Sequence, residues 1–134
     1  SRTTILDLFK RYPNFVMHGT LRNYLFSTFS VGCDIKSINS ISGVRDGGKI
    51  EAGQIWHRKQ DMSYEESYRF KRKVVDICEI SNYENAKTIV IFEEMLPPDD
   101  QWGNIANYHC GSTPQSFRSW GKLQENLTSE GVDK

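Results

Sequence analysis

The spacing of apolar residues predicts two helices at the start of the chain. The segment 3–12 carries apolar side chains three and four positions apart, the spacing of one helix face. Pro13 ends this segment, because a residue that precedes proline is pushed away from helical geometry. The segment 20–29 repeats the pattern with Leu21, Tyr24, Leu25 and Phe29. Both segments are therefore expected to be amphipathic helices with one buried face.

A third helix is predicted over 34–42, after a break at residues 30–33. Asp34 is a favourable N-cap, and Ile35, Ile38 and Ile41 recur every third residue behind it. Gly43 stands where a glycine commonly ends a helix. The pattern predicts a short helix with three isoleucines inward and a polar outer face.

The middle of the chain has the patterns of β-strands. Asp46-Gly47-Gly48 is the strongest turn signal, and 50–59 follows it as a strand anchored by Ile55 and Trp56. In 68–80 the first half alternates aromatic and basic residues and the second half is apolar on both faces. Such a strand is expected to be solvent-exposed and basic at one end and buried at the other. The apolar run in 87–96 predicts a central strand, and 104–110 a last edge strand.

A final helix is predicted from Thr113 to Leu127. Thr113 is a good N-cap and Pro114 suits the first helical position. Phe117, Trp120, Leu123 and Leu127 give this helix an apolar face. Phe117 and Trp120 are therefore expected to be buried against the sheet, and 128–134 to be a frayed tail.

These elements predict an α+β fold in a single domain, 1–134. A helical layer, 1–43, would pack on a β part, 44–112, and the helix 113–127 would close it. The sheet would be mostly antiparallel with three to five strands, or a small barrel. With 37% hydrophobic and 25% charged residues in 134, the chain is expected to fold rather than to be disordered.

Composition also bears on location. No apolar run reaches the roughly 18 residues that a membrane helix needs, so no membrane partner is expected. Three widely spaced cysteines, without a CxxC pair, are typical of reduced thiols in an intracellular protein.

Charge is distributed unevenly along the chain. Residues 1–75 contain thirteen Lys and Arg against seven Asp and Glu, whereas 76–134 contain four against ten. The first half is therefore about +6 and the second about −6, although the net charge is zero. This asymmetry indicates a basic surface for nucleic acid, or two halves that neutralise each other.

The segment 20–43 resembles helix-turn-helix DNA-binding proteins, with Gly32 at the turn. The resemblance implies that the polar face of the second helix contacts bases in duplex DNA. The hairpin after it would occupy the place of a wing, with basic residues near phosphates. The candidate base contacts are Lys36, Ser37, Asn39 and Ser40, and the candidate phosphate contacts are Arg45, Lys49, Arg58 and Lys59. The alternatives are a plain helical hairpin, or a strand through 30–38.

Basic and aromatic residues also alternate in 56–59 and 68–73. Such a pattern suits single-stranded nucleic acid, because bases stack on rings while cations contact phosphates. Arg69 and Lys71 are the candidates here. The alternative is that the aromatic residues are core and the lysines protect an edge strand, and for Trp56 the core is favoured.

Two further interpretations compete with DNA binding. Asp34-Ile35-Lys36 has the spacing of a nuclease metal site, with Asp7 as the only other upstream acid that suits it. Alternatively the acidic half, around Glu93, Glu94, Asp99 and Asp100, docks onto a basic protein or mimics the charge of DNA. The sequence favours a small DNA-binding or regulatory protein without catalysis, and no metal or cofactor is expected.

Overall fold

A computed structural model describes residues 3–43, 48–59, 71–96, 101–102 and 108–123. Within them the helices are α1 (Leu6–Arg11), α2 (Gly19–Thr28) and α3 (Pro114–Trp120). The strands are β1 (Phe15–Met17), β2 (Asp34–Ser37), β3 (Ser40–Ile41), β4 (Ile50–Glu51), β5 (Ile55–Arg58), β6 (Lys71–Ser81), β7 (Ala86–Leu96), β8 (Gln101–Trp102), β9 (His109–Ser112) and β10 (Gly121–Leu123).

An eight-stranded sheet forms the centre of the fold, in the order β1-β9-β7-β6-β5-β10. β2 pairs with β6 beyond the end of β5, and β8 pairs with the end of β7. Every pairing is antiparallel except that of β1 with β9. β3 and β4 form a separate two-stranded ribbon. The fold is thus α+β with a mostly antiparallel sheet, as predicted, but with more strands than the expected three to five.

The sheet is covered on both faces, which explains why its central strands are apolar on both sides. On one face α1 and α2 enclose a core that includes Leu8, Leu25, Phe29, Ile80 and Ile91. On the other face α3 and the β3–β4 ribbon cover a second core. Its buried members are Ile50, Trp56, Val74, Ile77, Val90, Phe92, Cys110 and Phe117.

A β-bulge in β6 divides this strand. Val74 lies opposite Phe92 and Asp76 opposite Ile91, so Val75 is the extra residue. The bulge turns Asp76 to the face of α1, where its carboxylate accepts hydrogen bonds from Tyr12 Oη (3.2 Å) and from Ser37 Oγ. The backbone N–H of Ile77 donates to it at 2.8 Å, so this polar side chain is well satisfied.

Several predicted elements are confirmed. α1 lies inside the predicted segment 3–12, α2 begins one residue before the predicted segment 20–29, and β7 covers the predicted central strand. Thr113 caps α3 through its side chain, which accepts from Ser116 N at 3.1 Å, with Pro114 at the helix start. Phe117 is fully buried as expected, whereas Trp120 is only partly buried.

The predicted third helix over 34–42 is wrong. Residues 34–37 are β2, antiparallel to β6, with Ile35 opposite Ile80. Asn39 has a φ of 64° and turns the chain into β3. The three isoleucines do not share a face: Ile35 packs on the core under α1 and α2, and Ile38 and Ile41 on the core under α3. Their period of three arises because the chain crosses from one face of the sheet to the other.

Other boundaries also differ from the prediction. The segment 50–59 is two strands, separated by a turn in which Gly53 has a φ of 96°. The last helix ends at Trp120, because 121–123 pair with β5 instead of continuing it. At the basic end of β6, Lys71 is only 6% exposed, and Arg72 and Lys73 are partly exposed. Predictions for 44–47, 68–70, 104–107 and 124–134 lie outside the described residues.

The sheet has β1 and β10 at its two ends within the described ranges, so no closed barrel is present there. In the same part of the chain, no helix is long and apolar enough to cross a membrane.

Candidate nucleic-acid interface

A groove of about 830 Å³ runs along one side of α3. One wall is formed by α3 and its N-terminal flank, and the others by the start of β7, the end of β5, β10 and the residues before β4. Five cationic residues line it, and we call it the basic groove: Lys49, Lys59, Lys87, Arg118 and Lys122. Among the described residues that line it there is no Asp or Glu.

Phe117 packs α3 onto the sheet beside the basic groove. Its ring centroid lies 5.1 Å from that of Trp56 and 5.3 Å from that of Phe92. Trp56 also lines the groove but is only 3% exposed, and its Nε1 donates to Gln54 Oε1 at 2.9 Å. Trp56 is therefore a core residue, as the sequence favoured, and is not available for stacking.

Arg118 connects α3 to two residues that lie between β3 and β4 in the sequence. Its Nη2 donates to the carbonyl oxygens of Ser42 (2.9 Å) and Gly48 (3.0 Å). Gly43 and Gly48 come so close that a Cβ on Gly43 would lie 2.5 Å from the carbonyl carbon of Gly48. Arg118 therefore holds one wall of the groove in place through contacts to the backbone.

Pairing of β5 with β10 brings Lys59 and Lys122 into the groove. The N–H of Lys59 donates to the carbonyl of Trp120 at 3.2 Å, and Lys122 lies opposite His57. Burial lowers the pKa of His57, and the positive charges of Lys122 and Lys71 lower it further. At neutral pH His57 is therefore expected to be neutral, so the positive charge here comes from the lysines.

Part of the charge asymmetry along the chain is cancelled elsewhere in the sheet. β6 and β7 place Arg72 opposite Glu94, with Nε 3.3 Å from Oε2. His109 Nε2 lies 3.3 Å from Glu93 Oε2. Glu93 and Glu94 are thus partly buried and already paired, which weakens the argument for an acidic docking surface. Asp99 and Asp100 lie outside the described residues.

Two of the predicted phosphate contacts lie together in the basic groove, namely Lys49 and Lys59. Lys49 also forms an exposed ion pair with Glu51 at 3.8 Å. Arg58 is on β5 opposite Gly121 but does not line the groove. Lys71 is buried on β6 opposite His57, so its predicted surface role is wrong. Arg45 and Arg69 fall outside the described residues.

The predicted base contacts do not form a recognition surface on a helix. Lys36 is exposed on β2 opposite Glu79, and Ser37 Oγ donates to Asp76. Asn39 is the turn residue, and its carbonyl accepts from Ala52 N at 2.8 Å. Ser40 is in β3 opposite Glu51. None of these four residues lines the basic groove, so the argument for base contacts through a helix is lost.

The described residues give no support to a metal site. They contain no group of three or more His, Cys, Asp or Glu side chains that could hold a metal ion. Asp34 is the first residue of β2, and Lys36 lies on the same side of that strand. Among the described residues, the nuclease interpretation therefore lacks the further ligands that magnesium requires.

The three cysteines are buried thiols and none is in a disulfide. Burial, together with the charge of Asp76, raises the pKa of Cys78 to about 12. Burial and the charge of Glu94 likewise raise the pKa of Cys110 to about 12. Both thiols thus stay protonated at neutral pH, which argues against a nucleophilic role because the thiolate is the reactive form.

Sequence reasoning missed three residues of the basic groove, Lys87, Arg118 and Lys122. They belong to β7, α3 and β10, and no local pattern links them. The sequence contains one related signal, the scarcity of cations in its acidic half. Residues 76–134 contain only four Lys and Arg, and three of these line the groove.

Comparisons with known proteins assign no family to the chain. No protein-family model matches the chain. Neither the curated proteins nor the solved structures that were searched include a match to it.

Proposed function

We propose that the protein binds nucleic acid through the phosphate backbone, in the basic groove beside α3. The observation that carries this proposal is the convergence of five cationic residues from separate parts of the chain, with no described acidic residue in the lining. Bringing like charges together destabilises a fold, and a bound polyanion relieves this repulsion. A concave surface of one charge also concentrates and steers ligands of the opposite charge.

The cationic lining of the groove indicates that contacts to phosphates dominate over contacts to bases. Lysine and arginine side chains neutralise phosphates irrespective of sequence, whereas specificity requires contacts to base edges. Arg118 is engaged by two carbonyl oxygens and Lys49 by Glu51. Lys59, Lys87 and Lys122 have no ion pair with another described residue. Binding is therefore expected to be strong at low salt and to depend little on sequence.

The salt dependence of binding tests this proposal. Labelled single-stranded and duplex DNA would be titrated with the protein across a salt series. Neutralisation of about three phosphates predicts that log K falls with log salt with a slope of about −2 to −3, steeper for duplex than for single strands. Lys59→Ala should reduce the magnitude of that slope by about 1.

Lys36→Ala is the matched control, since it removes the same charge from an exposed strand position outside the groove. Its affinity and slope should equal those of the parent. Absence of binding at low salt, or equal losses in Lys36→Ala and Lys59→Ala, would contradict the proposal.

A further inference from the structure

Tyr83, in the turn between β6 and β7, is the most exposed of the large apolar side chains whose exposure the structure describes. It is 100% exposed, and the next, Val31, is 77% exposed. An aromatic side chain carries a large apolar surface, and covering that surface is favourable. The ring of Tyr83 would therefore gain free energy from contact with a flat ring of a ligand.

The backbone of this turn is fixed by Asn82. The Oδ1 atom of Asn82 accepts hydrogen bonds from the backbone N–H groups of Glu84 (3.0 Å) and Asn85 (2.7 Å). Its backbone N–H donates to the carbonyl of Asn85 at 2.8 Å, and its Nδ2 donates to the carbonyl of Thr28 at 3.0 Å. Because Thr28 is the last residue of α2, the turn is tied to that helix. Little backbone freedom would thus be lost when a ligand contacts Tyr83.

The register of β6 fixes the direction of the basic groove. Ala86 lines the groove and pairs with Ser81, the last residue of β6. Lys122 also lines it and pairs with His57, which in turn pairs with Lys71, the first residue of β6. The groove therefore extends along the length of β6, beside α3. The β6–β7 turn lies beyond its end at Ala86.

Tyr83 is close enough to the groove for one strand of nucleic acid to contact both. It precedes Ala86 by three residues, so their Cα atoms are at most about 11 Å apart at 3.8 Å per residue. Successive nucleotides of a strand are about 3.4 Å apart along the axis of duplex DNA, so this distance corresponds to about three nucleotides. Lys87, the next residue of β7, also lines the groove and provides a cation at this end.

The charges next to Tyr83 favour a base over a phosphate. Glu84 follows it in the turn, and Asp34 pairs with Ser81 at the start of the turn. The turn itself, 82–85, contains no Lys or Arg. Carboxylates repel phosphates, whereas an aromatic ring stacks on the uncharged face of a base. The ring is therefore suited to a base, and the lysines of the groove to the phosphates of the same strand.

We propose that Tyr83 stacks on an unpaired base of a strand whose phosphates lie in the basic groove, so that the ligand is single-stranded nucleic acid. This inference rests on the proposed function, because the cations of the groove hold the strand. Bases inside a duplex are paired and stacked on each other, so they offer no free face to the ring. Every base has a face that can stack, so the contact adds affinity without requiring a particular sequence.

The test compares the parent with Tyr83→Ala at one low salt concentration. The labelled ligands are a thymine oligonucleotide, an abasic oligonucleotide of equal length and a long duplex. Because Tyr83 is fully exposed, its truncation should leave the fold unchanged, which circular dichroism would verify. Tyr83→Ala should weaken binding of the thymine strand about five- to a hundred-fold, the range expected for one stacked base. Its affinities for the abasic strand and the duplex should equal those of the parent.

Three further variants separate stacking from other effects. Tyr83→Phe keeps the ring and should bind the thymine strand as the parent does. Tyr83→Leu keeps an apolar side chain without a ring and should bind it more weakly. Leu6→Ala is the matched control, because it truncates a side chain that is 56% exposed on α1, which covers the other face of the sheet. Its affinities for all three ligands should equal those of the parent.

Several outcomes would overturn the inference and leave the proposed function standing. One is that the parent binds the thymine and abasic strands equally well. Another is that Tyr83→Ala keeps the full affinity for the thymine strand, or loses affinity equally for all three ligands. In each case Lys59→Ala should still weaken binding of every ligand. Failure of the parent to bind any of the three ligands would overturn the proposed function as well.

Discussion

Truncation of Phe117 to alanine is expected to destabilise the fold by about 4 kcal/mol. The side chain is fully buried and contacts three aromatic rings, those of Trp56, Phe92 and Trp120, at centroid distances of 5.1, 5.3 and 6.2 Å. Burial of a large aromatic side chain removes about 150–250 Å² from water, which at about 25 cal/mol per Å² is worth roughly 4–6 kcal/mol. Alanine retains part of this gain but leaves a cavity.

The surroundings place the cost in the upper part of the usual 3–5 kcal/mol range for this substitution. Trp56 and Phe92 are on β5 and β7, which both pair with β6, so the site cannot collapse without disturbing the sheet. The free energy of unfolding would be measured by urea titration of the parent and of Phe117→Ala. Because the free energy of unfolding of a small domain is only about 5–15 kcal/mol, the variant should unfold at a much lower urea concentration than the parent.

Val31→Ala serves as the control, because Val31 is 77% exposed and its truncation should change the free energy of unfolding by less than about 0.5 kcal/mol. Phe117→Leu fills more of the cavity than alanine and should cost less. A loss below about 1.5 kcal/mol in Phe117→Ala would refute the reasoning. It would mean that α3 is not anchored on the sheet through this ring.

Three further predictions concern other parts of the fold. Because the pKa of the Cys78 and Cys110 thiols is raised from 9.0 to about 12, the unfolded chain loses these protons at lower pH than the folded one. The free energy of unfolding should thus not depend on these thiols below about pH 9, and it should fall between about pH 9 and about pH 12. Urea titrations at a series of pH values would measure this decrease, which should be smaller in Cys78→Ala. Asp76→Asn replaces a carboxylate that accepts four hydrogen bonds, so urea unfolding should show a loss of about 1–3 kcal/mol, and an unchanged midpoint would contradict the role of the bulge. Gly111→Ala would place a Cβ 2.6 Å from the Phe15 ring, so a lower thermal midpoint is expected, corresponding to about 1–3 kcal/mol of overpacking.

The sequence by itself determined the elements whose pattern is local. α1 and α2 follow from apolar residues at helical spacing, and α3 from a threonine cap followed by proline. β7 follows from a run that is apolar on both faces, which suits a strand covered on both sides. For these segments every local preference agrees with the final fold, so little information from the rest of the chain was needed.

The secondary structure of the segment 34–41 is decided by the strand with which it pairs. Its period of three is compatible with a helix, but β-branched isoleucines also suit strands, and β6 offers an edge with which Asp34–Ser37 pairs. Short segments have weak intrinsic preferences, so the hydrogen bonds of a neighbouring strand outweigh them.

The basic groove depends even more on the tertiary structure. Lys49 and Lys59 were recognised as cations of a basic half, but Lys87, Arg118 and Lys122 join them only because α3 packs across the sheet and β10 pairs with β5. The sheet also decides which cations are not available at the surface, because it buries Lys71 and pairs Arg72 with Glu94. Composition fixes how much charge the chain carries, whereas the distances between those charges, on which their electrostatic energy depends, are set only when the chain folds.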